Sequence, residues 1–331
     1  MISETDLSFD DVLINPKFSE IRSRSEVSLD KTVAEWNFKL PILGSNMDTI
    51  MSSKMANAIY KEGAVGVLHR FQAIEDNVQE FQRTEGTSWV SVGVGGNEFE
   101  RAITLYEEGA NYFVIDVAHG ASIQVVEQYD KLRGWFYDNA YIIVGNFANA
   151  KSIETFNEKC KSSRKMDAVK IGIGGGSMCT TRVVTGCGRS TLSSLLDCNR
   201  LPIPLIADGG IRTSGDIAKA YAAGASLVML GGMLAGTDET PGELITGGLG
   251  DEFYKRYRGS ASRESYEAQG KEAKHRTAEG ESTTVPYKGP VEHILNNIKA
   301  GLLSSFSYVG AKNFNEFKEN AELIQVTNSV K

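Results

Sequence analysis

The residues best suited to chemistry lie in one string, Lys170-Ile-Gly-Ile-Gly-Gly-Gly-Ser-Met-Cys-Thr-Thr-Arg182, followed by Val-Val-Thr-Gly-Cys-Gly188. Glycines let backbone N–H groups approach a neighbouring group closely. Such donors stabilise a thiolate, the nucleophilic form of cysteine. Cys179 sits in this setting, whereas Cys160, Cys187 and Cys198 do not. A glycine run alone is a weak signal. Two further glycine pairs occur, in Ala207-Asp-Gly-Gly-Ile211 and Leu230-Gly-Gly-Met233. Unhindered N–H groups there suit an anion such as phosphate. The plain alternative is a pair of tight turns with no ligand. Asn46 and Asp48, His69, Asp116 and His119, Asn146 and Asp208 complete the polar set. Taken singly, each reads as a helix cap or as a side chain satisfied by loop carbonyls.

Their weight comes from what precedes them. Eight short apolar runs recur: Pro41–Ser45, Ala64–Leu68, Trp89–Val92, Tyr112–Ile115, Tyr141–Val144, Ala168–Ile171, Ile203–Ala207 and Leu227–Leu230. Continuous β-branched runs fit parallel strands buried on both faces. Helical segments alternate with them, such as Ser53–Glu62, Phe99–Gly109 and Thr213–Gly224, the last with cap signals at both ends. This pattern predicts an α/β fold, a (β/α)8 barrel, in preference to a doubly wound sheet. In such barrels the active site lies at the C-terminal ends of the strands, with phosphate held after strands seven and eight. The candidate residues fall at those ends.

The whole chain, 1–331, reads as one catalytic barrel domain. Residues 1–40 are expected to cover one barrel end. Residues from about 245 to 290, rich in Gly, Ser/Thr and charge, read as a mobile flap after strand eight. Residues 291–331 read as the final helix, beginning Val291–Leu303, and a tail. The chain has 331 residues, 41% hydrophobic, and a net charge of -7. The acidic balance argues against nucleic acid as a partner. No apolar run approaches a membrane span, and the N-terminus lacks a signal pattern. Four cysteines without a C-x-x-C pair fit a reduced cytoplasmic protein.

The Cys179 string resembles the catalytic loop of the IMP dehydrogenase/GMP reductase family. The resemblance extends through Leu7–Leu13, Ser23–Val27, Asn46–Thr49, Ile115–Gly120, Gly145-Asn146, Val285–Gly289 and Ser307–Gly310. Asn46-Met-Asp-Thr49 and Gly231–Gly236 are similar to the reductase branch. So is the short segment from about Phe71 to Ser88, where dehydrogenases commonly insert a regulatory domain. Ser262–Thr284 carries no Arg-Tyr pair, which the dehydrogenase flap uses to activate water. It carries instead His275-Arg-Thr-Ala-Glu-Gly280, similar to the reductase segment bearing a catalytic Glu. Three departures stand out: Gly175 where Pro is usual, Arg189-Ser-Thr191 after the Cys loop, and Cys187 where Val is common. They suggest a more flexible loop, or a substrate variant such as the deoxy form of GMP.

The resemblance implies NADPH-dependent reductive deamination of GMP to IMP and ammonia, through a thioimidate on Cys179. Thr181 and Glu279 would relay the proton. Ser177, Asp208, Gly210, Gly231 and Gly232 would hold phosphate and ribose. Ser260, Ala261 and Arg276 would line the base, and Asp116 and Ser305 would contact the nicotinamide cofactor. The carbonyls of Gly174, Gly176 and Cys179 would hold a monovalent cation, potassium, and the assembly would be a homotetramer. The alternatives are NAD-dependent oxidation of IMP to XMP, a flavin-binding barrel, and a non-enzymatic scaffold barrel.

Overall fold

The computed structural model describes residues 5–247, 252–262, 264 and 278–327. Eight parallel strands close into a barrel: β1 (Ile42–Gly44), β2 (Val65–Leu68), β3 (Ser88–Val92), β4 (Tyr112–Asp116), β5 (Tyr141–Phe147), β6 (Ala168–Ile171), β7 (Leu205–Asp208) and β8 (Leu227–Leu230). Val228 of β8 pairs with Ile42 of β1, which completes the ring and leaves no exposed edge. Helices cover the outside, and this is the α/β barrel that the alternating pattern predicts.

Alternation along the strands sorts two cores. Leu43, Val67, Val114, Ile143, Ile206 and Met229 point inward and form the barrel interior. Their neighbours Ile42, Phe113, Ile115, Val144, Ala207 and Val228 pack outward against the helices. Because side chains alternate with a period of two, the inward series continues through polar residues at the top. Tyr112 and Val114 lead to Asp116, Ala168 leads to Lys170, and Ile206 leads to Asp208. The same rule that fills the barrel with aliphatic residues therefore aims three charges into its upper mouth.

The lower mouth is closed by a hairpin, Lys31–Val33 paired with Trp36–Phe38. Trp36 packs edge-on against Trp89 and Tyr112, with ring centroids 6.0 and 4.9 Å apart. Its two turn residues, Ala34 and Glu35, both take positive φ, at 49° and 62°. That is the requirement of a primed two-residue turn, which Gly or Asn would meet more easily.

Boundaries differ from the sequence expectation where local chemistry intervenes. β7 starts at Leu205 rather than Ile203, since Pro202 and Pro204 have no N–H to give a ladder. The last long helix runs Val291–Tyr308. Within it the Ser304 and Ser305 hydroxyls donate to the carbonyls of Ala300 and Gly301. The stretch after β8 is not simply a loop. Among its described residues, Ile245–Thr246, Phe253–Arg258 and Ser282–Pro286 form a three-stranded antiparallel sheet. Lys255 and Tyr257 are buried there, on either side of exposed Arg256.

Candidate active site

The floor of the site is an ion network. Lys170 Nζ lies 2.7 Å from Asp116 Oδ1 and 2.5 Å from Asp208 Oδ2. Asn46 donates to Asp116 over 2.8 Å, and Asn146 donates to Asp208 over 2.9 Å. Burial by itself would discharge Lys170. The two carboxylates outweigh it and hold its pKa above the ordinary lysine value. Burial likewise opposes ionisation of Asp116, but Lys170 and Asn46 hold its carboxyl below the usual range. Asp208 keeps its second oxygen, Oδ1, without a hydrogen-bond donor among the described residues, and its carboxylate lines the cavity above.

Above the floor lies the Cys179 loop. The Cys179 thiol donates to Thr181 Oγ1 over 3.2 Å, and that hydroxyl donates to Glu279 Oε2 over 2.6 Å. A thiol, a buried hydroxyl and a carboxylate thus form one hydrogen-bonded line. Glu279 is brought in from 98 residues along the chain. The backbone fixes it: its carbonyl accepts from Thr180 N–H over 2.9 Å, and its N–H donates to Ala261 over 3.0 Å. Glu281 N–H donates to Met178 over 2.9 Å. Ser260 and Ala261 therefore stand beside the relay. Burial pushes the Cys160 and Cys198 thiols up to about 12, which keeps both protonated and inert.

A cavity of 590 Å³ opens beside this loop. Ser177, Asp208, Gly210, Gly231 and Gly232 all line it. Gly209 and Gly210 take φ of +88° and +78°, and a Cβ on Gly209 would meet the Gly176 nitrogen at 2.8 Å. A side chain there is excluded both by conformation and by the close approach of the two loops. Among the described residues the backbone N–H groups of Ser177, Gly210 and Gly232 take no backbone partner, as an anion cradle requires.

The departures from the family pattern have structural partners. A Cβ at Gly175 would stand 2.9 Å from Thr191 Oγ1, so two of the unusual residues face one another. Ser190 N–H donates to Asp6, and Arg189 pairs with Asp197 at 3.0 Å. Ser190 and Ser193 also clasp the backbone of Leu7. These contacts tie the region after the Cys loop to the N-terminal segment.

Not every candidate joins the site. His69 accepts from Phe71 N–H and stacks on its ring, and burial holds its pKa below the ordinary value. His119 lines a separate cavity beside Lys151 and Thr155. Asp48 is ion-paired with Arg258. Ser305 is on the outer helix and does not line the nucleotide-sized cavity. Arg276 lies outside the described residues. Conversely, Lys170, Tyr257, Arg258 and Lys288 went unassigned by sequence reasoning. Tyr257 Oη lies 3.1 Å from Ser177 Oγ. The inward alternation of β6 offered a signal for Lys170, and an alternating Phe253–Arg258 offered one for Tyr257.

Residues 6–331 match the model of the IMP dehydrogenase / GMP reductase domain. The chain belongs to this family. It is 36% identical to human GMP reductase 2, covering 99% of this chain and 96% of the relative. It is 31% identical to inosine-5'-monophosphate dehydrogenase of Cryptosporidium parvum, covering 98% and 92%. A GMP reductase variant from Trypanosoma brucei, solved with guanosine 5'-monophosphate, superposes with a TM-score of 0.88 at 27% identity, covering 99% of this chain and 96% of that one. Inosine 5' monophosphate dehydrogenase from Legionella pneumophila gives 0.87 at 41% identity, covering 99% and 100%. The chain is thus a (β/α)8-barrel oxidoreductase of purine nucleotide metabolism, and its family implies a nicotinamide cofactor. Among the described residues the buried Oδ1 of Asn146 has no hydrogen-bond partner. Among the described residues no group of three His, Cys, Asp or Glu could hold a metal ion. A cation at the Cys loop would take carbonyl oxygens, a donor set that suits a monovalent ion. Among the described residues no helix is long and apolar enough to cross a membrane.

Proposed function

We propose that the chain catalyses reductive deamination: GMP, NADPH and a proton give IMP, ammonia and NADP. The observation that carries this reading is the line Cys179–Thr181–Glu279. Ammonia leaves poorly unless its nitrogen is protonated, and this line ends in a carboxylate that can take and return a proton. Cys179 Sγ bonds to purine C2 as its proton passes through Thr181 to Glu279. The same proton returns to the exocyclic nitrogen, the C2–N bond of the tetrahedral adduct breaks, and ammonia departs, leaving a thioimidate. The nicotinamide, when bound, supplies hydride to C2. The C–S bond then breaks, and Cys179 regains a proton from solvent.

Ser177, Gly210, Gly231 and Gly232 hold the phosphate through N–H and O–H groups, and Asp208 Oδ1 accepts from the ribose. Ser260, Ala261 and Arg276 line the base. Asp116 and Ser305 would contact the nicotinamide cofactor. The carbonyls of Gly174, Gly176 and Cys179 take potassium. A homotetramer in the cytoplasm completes the proposal. Free cysteines fit that compartment, and exposed Phe18, Trp135 and Tyr137 offer apolar surface for assembly to cover. The likeness to the Legionella protein favours a second reading, NAD-dependent oxidation of IMP.

Cys179→Ala tests the covalent core of the proposal. NADPH oxidation with GMP should fall to background while calorimetry still records GMP binding. Near-normal turnover in that variant would rule out covalent catalysis here.

A further inference from the structure

Lys288 belongs to neither the relay nor the floor. It follows the Ser282–Pro286 strand, and its backbone N–H donates to Gly236 over 2.8 Å. Its side chain lines the same cavity as Ser177, Gly210 and Gly232. Lys288 Nζ donates to the carbonyls of Gly232 and Met233, at 3.1 and 3.2 Å. An ammonium has three N–H donors, so one remains.

The two carboxylates lining this cavity are already matched. Asp10 pairs with Arg212 at 2.5 Å, and Asp208 pairs with Lys170. Arg182 donates to the carbonyl of Arg189 over 2.9 Å and packs its stem on Gly174. Among the described residues no carboxylate lies within ion-pair distance of Lys288. Burial pushes its ammonium pKa down, and no neighbouring charge contributes. A half-buried cation without a counter-charge is costly unless a ligand supplies one.

Resting on the nucleotide reading above, we propose that Lys288 is the charged partner of the substrate phosphate, reaching it from the Gly232–Met233 carbonyls with its remaining N–H. The glycine loops supply neutral donors for geometry. Lys288 supplies the positive charge that separates a nucleotide from its nucleoside. A role confined to pinning the loop after β8 would affect both ligands alike.

The test is calorimetric titration of GMP against guanosine, and of IMP against inosine, with the full chain and with Lys288→Met and Lys288→Arg. A charged hydrogen bond lost to Met should weaken both monophosphates by roughly 10–100-fold. Nucleoside affinity should change less than about twofold, and Arg should recover most of the loss. Equal weakening of nucleotide and nucleoside, or no weakening of either monophosphate, overturns the proposal. So does a wild-type chain that binds neither monophosphate better than its nucleoside. Because the readout is binding, it is independent of which reaction the chain catalyses. A failed reductase assay with an intact monophosphate preference would remove only the direction of the reaction. If Lys288→Met does not fold, Lys288→Gln is titrated in its place with the same expected loss.

Discussion

At the scale of single residues, the account turns on one proton. Glu279→Gln preserves shape and hydrogen bonding to Thr181 but removes the group that carries the proton. Deamination of GMP should slow by roughly 10²–10⁴-fold, the usual contribution of a positioned acid–base group. Hydride transfer needs no donor at the leaving nitrogen. In the reverse direction, stopped-flow absorbance with IMP and NADP should therefore still show a first-turnover burst of NADPH, followed by a stall with an adduct on Cys179 visible by mass spectrometry. Loss of the burst in a folded, IMP-binding variant would place Glu279 in the hydride step. Cys160→Ala, Cys187→Ala and Cys198→Ala should retain turnover, since none joins the line to Thr181. Cys179 was legible because its glycine string is specific. Thr181 and Glu279 were legible only through the resemblance, because a contact across 98 residues leaves no local spacing. Lys288 left still less trace: its partners are two carbonyls, and any sequence supplies those.

At the scale of elements, inward-facing charges at the ends of strands exact a cost that the fold offsets by pairing. Lys170→Met would leave Asp116 and Asp208 facing each other without their shared cation. Breaking such a buried network costs about 3–5 kcal/mol, which urea denaturation should record as a lower midpoint with an unchanged slope. An equal midpoint would show that the network contributes nothing. The basal hairpin makes the opposite case. Lys31 lies over the Phe314 ring at 4.4 Å, and burial lowers its pKa to about 8. The folded state therefore sheds this proton before the unfolded state does, and stability from Lys31 rises as pH climbs from about 8 toward 10.5. Lys31→Met should stabilise the protein at pH 7 by about 1–3 kcal/mol, with the gain shrinking as pH rises from about 8 to 10.5. Destabilisation at pH 7 would mean that the cation–π contact outweighs desolvation. This hairpin was invisible as such, because Ala34-Glu35 carries no turn signature. Sheet strands after β8 were equally hidden, where a composition rich in Gly and charge masked the alternation of Lys255 and Tyr257.

At the scale of the whole molecule, the barrel was readable because each parallel strand is buried on both faces and announces itself as an apolar run. Closure followed from counting eight such runs, and the catalytic end followed from where the polar residues fell. The direction of the reaction is a different matter. Relatives from both branches of the family align along nearly the full chain. In the proposed reaction the Thr181–Glu279 line serves a departing amine at C2. The most direct measurement is a paired assay of the purified chain at the nicotinamide absorbance band, with released ammonia quantified. GMP with NADPH should lose absorbance and yield IMP and ammonia in equal amounts, while IMP with NAD should yield no XMP. Formation of XMP from IMP and NAD, with GMP inert, would contradict the account.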